Sequence, residues 1–257
     1  MFNLSDKVVL VTGGAGLLGE MHSQAIVENG GKVIIGDINL DATKKVCDAI
    51  NSKYPGKAHP VYLNVLDKTS IQNVLETHSD INVLINNAAI DPKVTDTMGP
   101  SGSFESFSVE EWDLSVDVML KGTFLCSQVF CPYFKKSGGG IVINISSDLG
   151  VIAPDQRIYE RSKKPITYSA AKHGIIGMTK YLATYYADSN IRVNSLSPGG
   201  VYVNQPEDFV ERLTNLIPIG RMAERDEYKG SIVFLCSDAS KYMTGHNLIV
   251  DGGRTVW

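Results

Sequence analysis

The sequence predicts a single-domain α/β fold, with a doubly wound parallel sheet and helices on both of its faces. Short apolar runs alternate with longer helical stretches along the whole chain, and most of these runs are β-branched and apolar throughout. Such runs are typical of parallel strands that helices cover on both sides. Strand and helix alternate from end to end, which indicates a doubly wound sheet. We expect one domain over residues 1–257, because no linker or repeat divides the chain.

Seven stretches predict the strands, and helical patterns fill the gaps between them. The candidate strands are residues 7–13, 32–37, 58–64, 81–87, 140–146, 191–197 and 247–253. The clearest helical patterns are residues 18–30, after the first strand, and 110–130, after the fourth. Irregular stretches at 90–108, 147–166 and 199–209 all follow the C-terminal ends of strands. In an open α/β sheet, ligands bind at that edge.

Composition excludes several classes of function. The chain is 43% hydrophobic and 20% charged, as in soluble globular proteins, and its net charge of −4 gives no reason to expect nucleic acid or an anionic membrane as partner. The four cysteines form no CxxC pair and no cluster with zinc spacing, so we expect reduced buried thiols and no metal site. No apolar run reaches the roughly 18 residues of a membrane span. Without a signal peptide, a cytoplasmic location is predicted.

A glycine-rich turn follows the first strand. In "TGGAGLLGE" (12–20), Gly13, Gly16 and Gly19 have the spacing G-x-x-G-x-x-G. Glycine allows a tight turn and lets the backbone approach a pyrophosphate. The next helix directs its N-terminal N–H groups at that phosphate. A purely structural turn would look the same, but its position after the first strand favours a dinucleotide.

Asp37 ends the second strand, 18 residues beyond Gly19. An acid at this place accepts hydrogen bonds from the ribose diol of adenosine and repels a 2′-phosphate. The next two residues, Ile38 and Asn39, carry no positive charge. A solvated loop aspartate is the alternative. Together with the glycine turn, the position of Asp37 favours NAD over NADP.

Ser147, Tyr168 and Lys172 form a candidate catalytic group. Ser146 and Ser147 leave the fifth strand, and Tyr168 and Lys172 stand four apart on the next helix, so they share a face. An ammonium close to a phenol favours the phenolate and lowers its pKa. Tyr168 would then exchange a proton with a substrate alcohol, which Ser147 holds, while Lys172 also binds ribose. The alternative is an ordinary surface pair of Tyr and Lys.

These motifs, in order, resemble the short-chain dehydrogenase/reductase family in its compact subgroup. The motifs are "VTGGAGLLG", Asp37, "LINNAA", "INISS", "YSAAK", "IRVNSLSPGG" and "FLCSDASKYMTGHNLIVDGG", and the likeness covers nearly the whole chain. The resemblance implies a seven-stranded Rossmann sheet, a nicotinamide cofactor, and a homotetramer or homodimer. The implied cofactor-binding residues are Gly13, Gly16, Leu17, Leu18, Gly19, Asp37, Ile38, Asn64, Val65, Asn87, Ala88, Ala89, Tyr168, Lys172, Pro198, Gly199 and Val201.

The chain departs from the family pattern in places. Leu17 stands where the compact branch usually has glycine, so the turn looks like that of the extended, nucleotide-sugar branch. Ala89 replaces another usual glycine. Met119 occupies the place of an asparagine thought to support a water chain, and methionine cannot form those hydrogen bonds. We therefore expect the Ser–Tyr–Lys triad without a fourth member.

Ser147 and Tyr168 are 21 residues apart, more than is usual in the family. The extra loop is basic, with Arg157, Arg161, Lys163 and Lys164 against Glu160 within residues 156–164. It suits an anionic substrate, and a solvated loop or an oligomer contact explains it equally well. The stretch "SPGGVYVNQPEDFVERL" and the tail "DGGRTVW" look like oxidoreductases of bacterial flagellin modification, in pathways to nonulosonic sugars.

The predicted function is an NAD-dependent oxidoreductase that interconverts a secondary alcohol and a ketone on a polar substrate derived from a sugar, phosphorylated or nucleotide-linked. Two alternatives stay open. The glycine turn would suit a nucleotide-sugar dehydratase or epimerase that retains its NAD. Met119 would suit a non-catalytic NAD-binding assembly protein.

Overall fold

A computed structural model describes residues 1–90, 104–159 and 163–257, and confirms the predicted fold. Within these residues, seven parallel strands form one sheet in the order β3-β2-β1-β4-β5-β6-β7. The strands are β1 Val8–Thr12, β2 Lys32–Asp37, β3 Ala58–Tyr62, β4 Val83–Asn86, β5 Gly140–Ile145, β6 Ile191–Pro198 and β7 Asn247–Val250. Each lies on a predicted strand. Residues 91–103 and 160–162, parts of two predicted irregular stretches, lie outside the described residues.

Helices follow the strands, as expected from the alternating pattern. They are α1 Leu17–Glu28, α2 Leu40–Asn51, α3 Lys68–Thr77, α4 Val109–Val116, α5 Gly122–Lys136, α6 Ile166–Tyr185, α7 Glu207–Thr214 and α8 Lys229–Cys236. The predicted helix over 110–130 is interrupted: a π-helical turn, Asp117–Lys121, joins α4 to α5. Its wider winding is seen in the N–H of Gly122, which donates to the carbonyl of Asp117, five residues back.

Both faces of the sheet are covered, which explains why its strands are apolar throughout. On one face, Val9 and Val11 of β1 pack in a core with Ile26 of α1 and Ile232 of α8. On the other face, Leu10 packs in a second core with residues of α3 and α5. Successive side chains of a strand point to opposite faces, so each face needs its own apolar set.

The helical stretch Val109–Lys136 is long and apolar enough, by length and composition, to cross a membrane. In the fold its α5 half buries Cys126, Phe130 and Phe134 against the sheet. That burial is typical of a core helix in a globular protein. We therefore assign the stretch to the core and not to a membrane.

The four cysteines, Cys47, Cys126, Cys131 and Cys236, are buried and not linked by disulfides, as predicted. Burial raises the pKa of each thiol to about 12. A thiol with such a pKa stays protonated and unreactive at neutral pH. In the described part of the chain, no group of three His, Cys, Asp or Glu side chains is placed to hold a metal ion.

Phe130 is completely buried between α5 and the sheet, and its loss should destabilise the fold. We expect Phe130→Ala to lower the free energy of unfolding by about 3 to 5 kcal/mol, because it removes apolar contacts and leaves a cavity. Urea denaturation measures this change. The fully exposed Tyr242 gives a matched aromatic control, Tyr242→Ala, with little expected effect. Equal losses in the two variants would contradict the assignment of Phe130 to the core.

Candidate active site

The candidate site lies at the C-terminal ends of β1 and β4, where the strand order reverses. The two strands are neighbours, with Val11 paired to Ile85. The chain leaves β1 towards α1 on one face of the sheet, and α5, which follows β4, covers the other face. A crevice between the departing segments is where doubly wound folds bind their ligands.

The glycine turn after β1 is shaped by close contacts that exclude side chains. Gly13 has φ +61°, and a Cβ there would lie 2.7 Å from the Cα of Ala88. A Cβ on Gly19 would lie 2.5 Å from the carbonyl oxygen of Gly13. Gly16 is less constrained, with its nearest contact at 3.2 Å. Gly14 was missed by sequence reasoning, although a Cβ there would lie 2.6 Å from a methyl group of Ile35.

The N-terminus of α1 opens towards this turn. The helix begins at Leu17, and Gly16 before it offers no side-chain cap. The N–H groups of Leu17 and Leu18, in the first turn, have no partner within the helix. Together with the positive end of the helix dipole, they suit a phosphate. The predicted residues of the turn are therefore brought together in one cradle.

Asp37 faces the same turn from the end of β2. Its Oδ2 accepts a hydrogen bond from the N–H of Ala15 at 3.3 Å, and its Oδ1 accepts one from the N–H of Asn39 at 3.0 Å. The neighbouring Ile38 is exposed. A carboxylate held beside a glycine turn fits the ribose diol of an adenine dinucleotide, so the residues present fit the predicted cofactor.

Thr12 and Asn87 bind the end of β1 to the segment after β4. The hydroxyl of Thr12 accepts hydrogen bonds from the N–H groups of Asn87 and Ala88, both at 3.0 Å. In return, the side-chain amide of Asn87 donates to the carbonyls of Thr12 and Gly13, both at 3.0 Å. Ala89, next in the chain, is exposed. Sequence reasoning missed Thr12, whose signal is a hydroxyl residue at the end of the first strand.

Two predicted adenine contacts, Asn64 and Val65, follow β3. The Oδ1 of Asn64 accepts from the N–H of Leu66 at 3.0 Å, so this side chain shapes its own loop. Val65 is buried, and a Cβ on Gly122 would lie 2.8 Å from one of its methyl groups. The side chain of Val65 is therefore packed against the start of α5.

The segment from Pro198 to Val201, expected near the nicotinamide, is held firmly at the end of β6. The N–H of Gly199 donates to the carbonyl of Val250 at 2.9 Å, and its carbonyl accepts from the phenol of Tyr228 at 3.0 Å. Val201 forms an isolated parallel bridge with Ala223. These contacts place the segment along the same edge of the sheet as the glycine turn.

Lys172 and Tyr168 lie together on α6. Lys172 is only 3% exposed, and its Nζ donates to the carbonyl of Ile145 at 2.9 Å. The same Nζ lies 5.6 Å from the centre of the Tyr168 ring. A second ammonium, that of Lys164, lies 4.1 Å from that centre. Two ammonium groups thus lie close to one phenol ring.

The two serines after β5 have different partners. The hydroxyl of Ser146 donates to the backbone carbonyl of Lys172 at 2.8 Å, which binds the strand end to α6. The hydroxyl of Ser147 donates to Oδ1 of Asp148 at 2.8 Å and accepts from the N–H of Leu149 at 3.2 Å. The Ser146 hydroxyl is thus bonded to the backbone of α6, whereas the Ser147 hydroxyl is bonded to Asp148 and Leu149.

Met119 lies in the π-helical turn and is buried. Its carbonyl accepts a hydrogen bond from the hydroxyl of Thr123 at 2.7 Å. Sequence reasoning expected one continuous helix here, and no residue type indicated the extra residue in the turn. The backbone of Met119, unlike its side chain, thus has a polar partner.

Two buried polar clusters near the site were not foreseen. Asn86 donates to Asn144 at 2.8 Å, and Asn144 donates to Thr179 at 2.9 Å, which connects β4, β5 and α6. Arg254, close to the chain's end, donates from Nη1 to Oδ2 of Asp148 at 2.7 Å. These residues are far apart in sequence, and only the fold brings them together.

In the loop before α6, one of the basic side chains is paired with an acid just outside the basic run. Arg157 forms two hydrogen bonds with Asp155, at 2.9 and 2.7 Å, and this contact lowers the pKa of the Asp155 carboxyl to about 2. Gln156 holds the backbone of Lys164 by accepting from its N–H at 2.9 Å. Glu160 and Arg161 lie outside the described residues.

Comparison with known proteins agrees with this geometry. The family model described as enoyl-(acyl carrier protein) reductase matches residues 16–255. The chain is 36% identical to the 3-oxoacyl-(acyl-carrier-protein) reductase FabG of Thermotoga maritima, over 98% of this chain and 99% of that protein. It is 35% identical to the trans-4-hydroxycyclohexanecarboxylate dehydrogenase of Sinomonas cyclohexanicum, over 98% and 94%. A short-chain dehydrogenase from Leptospira borgpetersenii with bound NAD+ superposes with TM-score 0.84 at 33% identity, covering 98% and 94% of the two chains.

The contact between Gly13 and Ala88 can be tested with two glycines that both have positive φ. Gly56 has φ +72° but nothing within 4 Å of a Cβ, so Gly56→Ala reports the backbone cost alone. We expect Gly13→Ala to lower the free energy of unfolding by about 1 to 3 kcal/mol more, because its methyl group meets Ala88. Urea denaturation of both variants measures the difference. Equal losses would contradict the close approach of the two segments.

Proposed function

Because the chain belongs to the short-chain dehydrogenase/reductase family, we propose that it is an NAD-dependent enzyme interconverting a secondary alcohol and a ketone on a polar, sugar-derived substrate. The relatives of the chain, which include a cyclohexanol dehydrogenase, indicate that it is an oxidoreductase acting on alcohol- or ketone-type substrates. Because these relatives are named as dehydrogenases and reductases, the oxidoreductase is favoured over the dehydratase and assembly-protein alternatives.

The position of Lys172 beside Tyr168 carries the proposal. The ammonium is almost completely buried, so its field acts on the phenol with little screening by solvent. A nearby positive charge lowers the pKa of a tyrosine, whose ordinary value near 10 would leave it protonated at neutral pH. Tyr168 is then able to take a proton from an alcohol and to return it to a ketone.

Ser147 would hold the substrate oxygen next to Tyr168. In the oxidative direction the hydroxyl proton passes to the Tyr168 phenolate, while Ser147 donates a hydrogen bond to the same oxygen. A bound nicotinamide supplies the acceptor for the hydride that leaves the carbinol carbon. In the reductive direction Tyr168 donates its proton to the carbonyl oxygen, and Ser147 keeps that oxygen in place.

Asp37 supports NAD as the cofactor. Its two oxygens are oriented by the N–H groups of Ala15 and Asn39, so the carboxylate cannot readily turn away from the ribose position. A 2′-phosphate at that position would meet a negative charge. The Leptospira relative, 33% identical, was solved with NAD+. Gly13, Gly19 and the first turn of α1 would hold the pyrophosphate.

The surroundings of Tyr168 support a polar or anionic substrate. The ammonium of Lys164 lies over the Tyr168 ring, next to the place where a substrate oxygen would bind. A carboxylate or phosphate on the substrate would be attracted there. The Sinomonas relative is named for a ring alcohol that carries a carboxylate. A phosphorylated or nucleotide-linked sugar has the same combination of ring hydroxyls and negative charge.

The outer faces of α4, α5 and α6 support a homodimer or homotetramer. They expose several large apolar side chains: Trp112, Leu114, Phe124, Tyr181 and Tyr185. Exposed apolar patches of this kind commonly mark contacts between subunits. The buried thiols, with no disulfide among them, agree with a cytoplasmic location.

Loss of the Tyr168 hydroxyl should abolish turnover. We expect Tyr168→Phe to lower kcat at least about a hundredfold, because the proton then has no acceptor of suitable pKa. NADH absorbance is followed with NAD and a panel of alcohols, sugars, sugar phosphates and nucleotide sugars. Tyr242→Phe, at a fully exposed tyrosine, is the control and should keep wild-type turnover. Near wild-type turnover of Tyr168→Phe on the best substrate would refute the role of Tyr168.

Removal of the Asp37 carboxylate should change cofactor preference. We expect Asp37→Ser to reduce kcat/KM for NAD about tenfold, because a hydrogen bond to the ribose diol is lost. The kcat/KM for NADP should rise, because the carboxylate that repels its 2′-phosphate is lost as well. The control is Asp41→Ser, since Asp41 lies nearby in α2 with an exposed side chain. A wild-type enzyme that prefers NADP would show that Asp37 does not select the cofactor.

A further inference from the structure

We propose that the buried ion pair between Asp148 and Arg254 balances the charge beside Ser147 and thereby sets the proton affinity of Tyr168. The inference rests on the proposed function, because it concerns the proton that Tyr168 exchanges with the substrate. Both residues are positioning residues in this proposal. They act on the reaction through Ser147 and through their charge, without touching the substrate.

Asp148 lies directly between Ser147 and Arg254. Its Oδ1 accepts the Ser147 hydroxyl at 2.8 Å, and its Oδ2 accepts Nη1 of Arg254 at 2.7 Å. The side chains of Arg254 and Asp148 are only 5% and 4% exposed. The carboxylate is therefore one hydrogen bond away from the hydroxyl that would hold the substrate oxygen.

Each charge of the pair is balanced by the other. Nε and Nη2 of Arg254 are buried and have no hydrogen-bond partner among the described residues. Within the same residues, Asp148 is the carboxylate that Arg254 contacts. A charge buried without its partner is costly in a medium of low dielectric constant. Removal of either partner alone therefore leaves an uncompensated charge close to Ser147.

Such a charge would act on the reaction in two ways. Ser147 has a single hydroxyl hydrogen, and Asp148 competes for it with the substrate oxygen. A carboxylate paired with a guanidinium is the weaker acceptor, so Arg254 lets Ser147 turn to the substrate. In addition, an unpaired carboxylate would repel the negative charge of the Tyr168 phenolate and raise the pKa of Tyr168.

The described residues bring further charged groups onto α6 and onto the elements packed against it. Lys172 lies on the same helix, and Lys164 precedes it. Among the described residues, the charged side chains on α6 and on the elements packed against it also include His173 and Lys180 of α6, Glu110, Glu111 and Asp113 of α4, Asp117 and Lys121 of the π-helical turn, and Arg192 of β6. Asp155 is paired with Arg157 and also feels the charge of Arg254. Asp148 and Arg254 can thus be substituted while the side chains of Ser147, Tyr168 and Lys172 are kept.

The test is the acid limb of the pH profile of kcat/KM for alcohol oxidation. Activity falls there as Tyr168 becomes protonated, so a lower pKa moves the limb to lower pH. Asp148→Asn leaves a lone guanidinium, and we expect the limb to move down by about 0.5 to 1 pH unit. Arg254→Met leaves a lone carboxylate, and the limb should move up. The double variant, Asp148→Asn with Arg254→Met, has neither charge, so its acid limb should lie at the wild-type pH. Arg254→Lys keeps the charge, and its acid limb should also lie at the wild-type pH.

A merely structural pair would lower kcat and the unfolding midpoint without shifts of opposite sign. If the acid limb of Asp148→Asn lies at the same pH as that of the wild type, the inference is overturned, whatever the change in kcat. If that variant does not fold, Arg254→Met decides, with the upward shift required. NMR titration of isotope-labelled tyrosine, with Tyr168 assigned by its loss in Tyr168→Phe, reads the same pKa without turnover.

The proposed function and the role of the ion pair fail in different ways. An inactive wild type across the alcohol panel would reject the proposed function, and the inference with it. If the wild type is active, but the two variants have the same acid limb and the same Tyr168 titration as the wild type, the inference alone is rejected. Cyclohexanol serves as the probe if no better alcohol emerges from the panel.

Discussion

The close approach of two backbone segments, at Gly13 and Ala88, is the constraint on which the candidate site depends. The hydroxyl of Thr12 accepts two N–H groups from the segment after β4, and the amide of Asn87 donates back to two carbonyls of the glycine turn. The side chains of Thr12 and Asn87 thus satisfy backbone polar groups of both segments, and the glycines of the turn need none of their own. The turn is held between β2 and β4, where the N–H groups of Gly14 and Ala15 donate to Gly36 and Asp37 at the end of β2.

The catalytic half of the site depends on a second, reciprocal contact. Lys172 donates its amino group to the carbonyl of Ile145, and its own carbonyl accepts the hydroxyl of Ser146. The end of β5 and the middle of α6 are thereby fixed to each other. This contact fixes the distance between Tyr168, one turn earlier on the helix, and Ser147, two residues beyond the strand. The chain of Asn86, Asn144 and Thr179 connects the same elements to β4, so the two halves of the site share one frame.

Sequence alone predicts the features that depend on local pattern. Apolar strands and intervening helices are visible as periodicity, and the cofactor turn is marked by the glycine spacing in "TGGAGLLGE". Polar groups that meet across the fold leave no such pattern. Asn86 and Asn144 are 58 positions apart, and Asp148 and Arg254 are 106 apart. Taken singly, none of these four residues indicates its partner. The pair of Asp155 and Arg157 is a local example, since Asp155 stands just outside the basic run that the sequence shows.

The π-helical turn between α4 and α5 has a consequence for insertions and deletions. Each residue of an α-helix turns the chain by about 100°. If one residue were deleted from Asp117–Lys121, α5 would rotate by about that angle relative to α4, and Phe130 and Phe134 would leave the sheet. A flexible loop could accommodate such a change of length. In this continuous helical connection, the number of residues in Asp117–Lys121 decides which side of α5 faces the core. The π-helical turn thus sets the rotation of α5, which forms part of the core, relative to α4, which packs against α6.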